Sequence, residues 1–213
     1  MVTIHKQPEP QAWINYRRTP GVPYQALPEL RQALLEEQGD ICAYCMRRIP
    51  VRDRLPTRND DISETSRVEH IQSRERYPGR ALDYNNMVIC CPGMIDGTAH
   101  CDRSKANQDI SFTPLDVKVQ SSISYGTKDG AIKSANPTWN GEINTALALN
   151  NPLLKRNRLQ TLAGIMMVLE KKKWKKAELE KRHKEWQSFK DGQKKTYCGI
   201  IIWYLEKKIR QMG

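Results

Sequence analysis

The arrangement of cysteines constrains the fold of this chain more than any other feature of its sequence. Cys42 and Cys45 form a Cys-x-x-Cys pair, and Cys90, Cys91 and Cys101 follow after a long gap. A structural zinc site takes four thiolates, usually delivered as two close pairs. The N-terminal residues MVTIHKQPEPQAW lack the apolar stretch of a secretion signal, so we expect reduced, metal-binding thiols rather than disulfides. The sequence therefore predicts a Zn²⁺ site made by Cys42, Cys45, Cys101 and either Cys90 or Cys91.

Composition and charge narrow the class of protein. Hydrophobic residues make up 38% of the 213 residues, and no apolar run approaches the roughly 20 residues that span a bilayer. We therefore expect a soluble cytoplasmic protein with no membrane association. The net charge of +11 is concentrated in residues 155–213, where 17 Lys and Arg stand against 6 Asp and Glu; residues 1–154 carry 18 of each. A solvated Lys-rich helical face explains this bias simply, and a surface for a polyanion is the alternative.

Composition divides the chain into three parts. Residues 1–27 are rich in proline and aromatic residues and are expected to form an extended arm with little regular structure. Residues 28–110 hold the cysteine-containing core, and residues 111–213 are mixed at first and then helical and basic. The pattern predicts these elements: a helix over 27–37 ended by Gly39, a polar loop over 50–66, hairpin strands at 67–71 and 87–91, a helix from residue 102, β-like segments at 117–120 and 122–125, a charged helix over 171–190, and a last amphipathic helix.

A second pattern combines an acid–histidine pair with an asparagine and a later acid. The sequence reads VEH at 68–70, DYNNMVICCP at 83–92 and HCDRSK at 100–105. Histidine titrates near neutral pH and can take a proton from water, whereas carboxylates are the ligands that hard cations such as Mg²⁺ prefer. A general base beside a carboxylate-held cation is suited to phosphodiester hydrolysis.

This pattern resembles the motif of the HNH endonuclease family. That motif begins with Asp-His, continues with Asn before an apolar residue, and ends with Cys followed by His or Asn and then by Lys. The resemblance implies that His70 is the general base and that Glu69 and Asp102 bind a catalytic Mg²⁺ or Mn²⁺. It also implies that Asn86 fixes the loop geometry and the orientation of His70. Glu69 stands where the family usually has Asp, and Asp102 where it usually has His or Asn, so both departures retain an oxygen ligand.

Two positions of the motif have competing neighbours. Asn86 is preferred to Asn85 because an apolar residue follows it, and Asp102 is preferred to His100 because of its distance to Lys105. Neither preference excludes the neighbour, so Asn85 and His100 remain alternatives.

The resemblance also bears on the zinc site and on substrate contacts. Strand alternation and the family spacing after the asparagine both favour Cys91 over Cys90, and the nine residues 92–100 before Cys101 are expected to loop out. Because Cys101 directly precedes Asp102, zinc would anchor the helix that carries this ligand. Four basic side chains are candidates for phosphate contacts, which position a nucleic-acid backbone without reading its sequence: Arg74, Arg76, Arg80 and Lys105.

Segments beyond the motif narrow the resemblance. HCDRSKANQDISFTPLD at 100–116 and NTALALNNPLLKRNRLQTL at 144–162 resemble PtuB-type HNH effectors of Septu and retron antiphage systems, with similarity extending from about Tyr24 to the C-terminal helices. The resemblance implies an α+β fold with a zinc-stapled ββα-metal core. It also implies a toxic nuclease effector acting on DNA or RNA and controlled by a PtuA-like ABC/SMC-type ATPase, with a retron reverse transcriptase and its msDNA as further partners. Alternatives are a ribonuclease for structured RNA such as tRNA, and a non-catalytic zinc module that binds nucleic acid or a protein.

Overall fold

The computed structural model describes residues 1–50, 65–95 and 97–213, so the polar loop predicted over 50–66 lies almost entirely outside the described residues. The fold is α+β, with short antiparallel two-stranded sheets among helices. The α-helices and strands of the described residues are α1 (Gln11–Arg18), α2 (Pro28–Gln38), β1 (Arg67–His70), β2 (Met87–Cys90), β3 (Met94–Ile95), β4 (Thr98–Ala99), α3 (Asp102–Lys105), α4 (Val117–Ser122), β5 (Ile123–Tyr125), β6 (Ile132–Ser134), α5 (Pro137–Asn144), α6 (Pro152–Lys171), α7 (Lys176–Gln187) and α8 (Cys198–Arg210). Two short 3₁₀ helices, Pro78–Arg80 and Tyr84–Asn86, lie between β1 and β2.

The predicted hairpin is confirmed as β1 paired with β2. Its antiparallel register sets Glu69 opposite Val88 and His70 opposite Met87. All four residues of β2 are buried, as its unbroken apolar run predicts. Helix α2 packs against β2, and Gly39 ends α2 with a left-handed φ of 64°, as predicted.

The N-terminal segment packs into the core and contains a helix. Met1 and Ile4 are buried, and α1 begins directly after Pro10, whose φ of −64° suits a cap position that needs no N–H. Trp13 of α1 is fully buried. The expectation of an arm with little regular structure is therefore wrong for this helix, because its flanking prolines mask a short stretch that tertiary burial stabilises.

The region after the core differs from prediction at one segment and at one turn. Residues 117–120, which have a β-like pattern, lie in helix α4, because the side chain of Asp116 accepts a main-chain N–H of its first turn at 2.8 Å. The strand predicted at 122–125 is confirmed as β5, which pairs with β6. The charged segment 171–190 is not one helix, since a turn after Lys171 separates α6 from α7.

One hydrophobic core joins the described parts of the chain. It extends from Met1 to Leu205 and includes the buried cysteines, the β1–β2 hairpin and the inner faces of α6 and α8. Among the described residues, no helix has both the length and the apolar character required to cross a bilayer.

Candidate metal centres and active site

Four cysteines converge beside the hairpin. The Sγ atoms of Cys42, Cys45, Cys91 and Cys101 all lie within 4.8 Å of one another, and all four residues are buried. The Cys42–Cys101 and Cys45–Cys91 sulfur distances are 3.8 Å and 3.7 Å. A tetrahedral Zn²⁺ with Zn–S bonds of about 2.3 Å requires sulfurs roughly 3.8 Å apart. The structure therefore groups Cys91, and not Cys90, with the other three in a set that can hold zinc.

Main-chain hydrogen bonds shape the turn at residues 42–47, the knuckle that carries Cys42 and Cys45. The N–H of Cys42 donates to the carbonyl of Arg47 at 2.9 Å, which closes a tight turn around Cys45. The N–H of Ala43 donates to the carbonyl of Ile89 at 3.0 Å. The knuckle is thus tied to β2, whose next residues bring the third cysteine.

The four thiols differ in their affinity for protons. Burial acts against ionisation of Cys42, but hydrogen bonds from neighbouring thiols, that of Cys101 first, lower the pKa of Cys42 well below its ordinary value. Burial raises the pKa of Cys101, and the adjacent Cys42 sulfur adds to the rise. The hydrogen bond with Cys101 also lowers the pKa of Cys91, to about 7, whereas a thiolate at Cys45 or Cys101 meets buried negative charge. Because a bound Zn²⁺ would remove that repulsion, the donor set fits this ion.

His100 faces the cysteine group. It is fully buried, and its Nδ1 lies 3.1 Å from the Sγ of Cys101. Its Nε2 has no hydrogen-bond partner among the described residues. A proton on Nδ1 would be donated to this sulfur, and outer-shell hydrogen bonds of this kind orient metal ligands. Of the two alternatives for the third motif position, His100 lies at the cysteines and Asp102 lies beside Glu69.

Glu69 and Asp102 meet in the interior between β1 and α3. Glu69 is 3% exposed and Asp102 is 8% exposed. The Nζ of Lys105 is 2.8 Å from Oε1 of Glu69, and the Nε of Arg67 donates to Oδ2 of Asp102. The hydroxyl of Tyr44, from the cysteine knuckle, donates to Oε1 of Glu69 at 3.1 Å. Burial raises the pKa of Glu69 to about 8; Asp102 adds to the rise and Lys105 opposes it.

Lys105 is fully buried against this acidic pair. Besides Glu69, its ammonium contacts the main-chain carbonyl of His70 at 3.2 Å. The lysine therefore connects the acid to the histidine and neutralises buried negative charge. Contact with a phosphate, which the sequence predicts for Lys105, would require this ammonium to leave Glu69.

His70 is held as a neutral imidazole. Its Nε2 lies 3.0 Å from the carbonyl oxygen of Ala81, so a proton on Nε2 is donated there and the lone pair is on Nδ1. Burial lowers the pKa of His70 to about 4, with the carbonyl of Ala81 acting in the opposite direction. At neutral pH the ring is therefore uncharged, and the same burial makes it a weaker base than a free histidine.

Asn86 fixes the loop between the two strands. It is 1% exposed. Its Oδ1 accepts the N–H of Gln72 at 2.9 Å, and its Nδ2 donates to the carbonyls of Gln72 and Arg80 at 3.0 Å and 3.2 Å. Because Arg80 directly precedes Ala81, the same bonds hold the carbonyl that orients His70.

A stack of side chains covers His70. The ring of Tyr24 lies edge to face with His70, with centroids 4.6 Å apart. The guanidinium of Arg74 lies 4.4 Å from the centroid of the Tyr24 ring, a favourable cation–π arrangement. Arg74, a predicted phosphate contact, thus packs on Tyr24 of the N-terminal segment, and Tyr24 in turn packs on the candidate base His70.

Arg76 and Arg80, also predicted phosphate contacts, form ion pairs, of which that of Arg76 is exposed and that of Arg80 is half-buried. Arg76 lies 2.9 Å from Asp109, and Arg80 lies 2.8 Å from Asp83. Exposed pairs of this kind contribute little to stability and exchange readily with other ions. The guanidinium of Arg76 can therefore still bind a phosphate, whereas that of Arg80 is held by two bonds to Oδ2 of Asp83 and one to Oε1 of Gln72.

Sequence reasoning missed three contacts of this region. Arg67 precedes Glu69 by two residues, so strand alternation alone sets both on one face. Tyr44 lies inside the Cys-x-x-Cys pair, which fixes it close to whatever the knuckle packs against. The aromatic residues of the N-terminal segment were a signal for Tyr24, but nothing local indicated that it contacts His70.

The two candidate centres differ in their ligand sets. Among the described residues, the cysteines form the only group of three or more potential ligands close enough to share an ion. Glu69 and Asp102 supply two ligands, a number sufficient for Mg²⁺ because this ion usually keeps several waters. Comparison of the sequence with protein-family models and with curated proteins gives no match.

Proposed function

We propose that the protein is a metal-dependent HNH-type endonuclease that hydrolyses phosphodiester bonds of nucleic acid. The observation that carries this proposal is that two buried carboxyl groups, Glu69 and Asp102, meet beside Lys105, and that the charges of Asp102 and Lys105 act on the imidazole of His70. Lys105 also contacts the main-chain carbonyl of His70, which ties the acidic pair to the strand residue that carries the imidazole. The order of hairpin and then helix, with Asp102 as the first residue of α3, also supports the proposal.

The carboxylate pair is suited to a hard divalent cation. The polar contacts described above use Oε1 of Glu69 and Oδ2 of Asp102. The two carboxyl groups also hydrogen-bond each other, and a Mg²⁺ or Mn²⁺ bound by one oxygen of each would replace the proton that they share. The raised pKa of Glu69 reflects burial beside a second acid, a cost that a divalent cation would offset. When bound, the cation would neutralise charge on the phosphate and on the leaving oxygen.

The imidazole is suited to act as general base. His70 is neutral at physiological pH, and its Nδ1 can take the proton of the attacking water. Ala81 fixes the tautomer by accepting the proton on Nε2. Tyr24 limits rotation of the ring by covering it.

The cysteine group would act as a structural zinc site in this proposal. Cys101 is followed directly by Asp102, so a zinc bound there would hold the start of α3 in position. Tyr44 extends the same support from the knuckle to Glu69. Zinc would thus fix both carboxylates without taking part in hydrolysis.

The biological role follows from the resemblance to PtuB-type effectors. We propose that the nuclease is toxic to its host when released, and that a PtuA-like ATPase restrains it until infection. Co-expression tests this part: wild type alone should reduce cell growth, and the ATPase partner should restore it. Growth that does not depend on the partner would contradict the regulatory role but not the nuclease.

The proposed activity is tested by digestion of DNA and RNA with Mg²⁺ or Mn²⁺, with and without the partner. Wild type should cut at least one polymer, His70→Ala should cut neither, and the exposed residue His5 supplies a matched control, His5→Ala, that should cut like wild type. Cleavage of RNA alone would make the enzyme a ribonuclease. If wild type cuts neither polymer under any of these conditions, the non-catalytic zinc module is the better explanation.

A further inference from the structure

Lysines crowd the corner between α6 and α7. Residues 171–176 read KKKWKK, and each of the five lysines is exposed. Lys173 and Trp174 adopt positive φ angles of 54° and 50°, which turn the chain sharply between the two helices. Lys176 also donates to the main-chain oxygen of Gly213. The turn therefore concentrates five ammonium groups at one end of the helical region.

Helix α8 adds two more lysines at this place. Trp174 packs edge to face on Tyr204, with ring centroids 6.1 Å apart. The Nζ of Lys208 lies 5.6 Å from the centroid of Trp174, and that of Lys207 lies 5.4 Å from the centroid of Trp203. We call the set the lysine corner: Lys171, Lys172, Lys173, Lys175, Lys176, Lys207 and Lys208.

The positive charge of the lysine corner is poorly compensated. None of its members pairs with the side chain of an Asp or Glu among the described residues. Of the neighbouring acids on the same helices, Glu178 and Glu206 already pair with other side chains. Glu170 and Glu180 are left against seven lysines, so a positive potential extends from this surface.

We infer that the lysine corner binds the phosphodiester backbone of nucleic acid, on helices that contribute no residue to the candidate active site. This inference rests on the proposed function, since a nuclease must hold the same polymer that it cuts. Flexible lysines act as point charges that bind phosphate without reading sequence. The half-buried ring of Trp174 adds a stacking surface among them.

The packing of these helices argues against a lipid surface as the partner. A helix that lies on a membrane needs an apolar face turned outward. Here Ile200, Ile201 and Leu205 of α8 and Leu179 of α7 are all buried in the core. The exposed large apolar side chains of α6 and of the C-terminal residues are Met167, Val168 and Met212, fewer than the continuous apolar stripe of a membrane-bound helix.

A salt titration of binding tests the inference on the full chain without added divalent cations. Binding of a fluorescent 20-base-pair DNA and of the matching single-stranded RNA is measured by fluorescence anisotropy between 50 and 200 mM salt. Over this range the affinity for nucleic acid falls more steeply the more phosphate contacts the protein makes. The test variant carries Lys171→Gln, Lys173→Gln and Lys175→Gln. The matched control carries Lys→Gln at three other exposed positions, which gives the same loss of net charge: Lys118, Lys128 and Lys133.

The corner variant should weaken binding at least about tenfold and reduce the slope of log K against log salt by roughly three for DNA, about 0.9 for each lost phosphate contact. The control should change the slope by less than about one. An equal loss of nucleic-acid affinity in both variants would overturn the inference. It would also be overturned if the corner variant bound nucleic acid like wild type but lost affinity for phosphatidylserine vesicles or polyglutamate.

Failure of this inference is distinguishable from failure of the proposed function. If wild type cuts nucleic acid but the corner variant binds like wild type, only the lysine corner is rejected. If wild type cuts neither polymer but binding depends on the corner, the nuclease proposal is rejected and the binding surface stands.

Discussion

Replacing Asn86 tests whether this side chain holds the loop that orients His70. Asn86→Ala removes three hydrogen bonds, two to the main chain of Gln72 and one to the carbonyl of Arg80. At roughly 1 kcal/mol for each bond lost from a buried site, the free energy of unfolding should fall by about 3 kcal/mol. For a chain of this length, that loss corresponds to roughly 6–12 °C in melting temperature.

The neighbouring residue gives a matched control. Asn85 is exposed and donates its main-chain N–H to the side chain of Asp83, a bond that Asn85→Ala retains. Thermal and urea unfolding of both variants should therefore show a large loss for Asn86→Ala and almost none for Asn85→Ala. Asn86→Asp should not restore stability, because it sets an oxygen against two carbonyls where Nδ2 donated. Melting of Asn86→Ala within about 2 °C of Asn85→Ala, a difference of about 1 kcal/mol or less, would refute this reasoning.

The remaining predictions concern the metal centres and the cover over His70. Cys42→Ser should lose the zinc found by elemental analysis, whereas Cys90→Ser, outside the group, should keep it; zinc retained in Cys42→Ser would contradict the four-cysteine site. Tyr24→Ala should lower kcat by about tenfold to a hundredfold with little change in KM, and Tyr24→Phe should restore it, since the ring and not the hydroxyl positions His70. Without divalent cations, the free energy of unfolding of wild type relative to that of Glu69→Gln should decrease as pH rises from about 4.5 to about 8, because folded Glu69 keeps a proton that the unfolded chain has lost; the comparison cancels the opposite contributions of His70 and the buried N-terminus. Mn²⁺ should abolish that decrease, and calorimetry in two buffers at pH 7 should detect proton release on binding; no release would contradict the raised pKa.

Interactions between residues close in sequence made much of the fold predictable. The unbroken apolar run of β2, the glycine that ends α2 and the spacing of the cysteines each indicate a local geometry that the described residues adopt. The preference for Asp102 over His100 had the same local basis. Asp102 and Lys105 are three residues apart and share a face of α3, so both reach Glu69.

Competing local signals explain the elements that were predicted wrongly. The β-branched pattern at 117–120 favours a strand, but the cap at Asp116 favours a helix and prevails. In the N-terminal segment the prolines favour extended chain, yet burial of Trp13 stabilises α1. The nine-residue insertion 92–100, expected to loop out, contains the small β3–β4 hairpin in its described residues.

Contacts between distant parts of the chain lay beyond sequence reasoning. Tyr24 and His70 are brought together only when the N-terminal segment packs across the hairpin. Tyr44 reaches Glu69 only because the knuckle is tied to β2. No periodicity or spacing reports such pairs, since they depend on how separate elements pack against one another.

A crystal soaked with Mn²⁺ tests most directly whether the carboxylates hold a cation beside the base. Anomalous scattering should locate one ion about 2.1 Å from an oxygen of Glu69 and an oxygen of Asp102, with the remaining ligands supplied by water. A bound water should lie between that ion and Nδ1 of His70. Saturating Mn²⁺ that leaves both acids paired only with Lys105 and Arg67, or that binds elsewhere, would contradict a metal-dependent nuclease site.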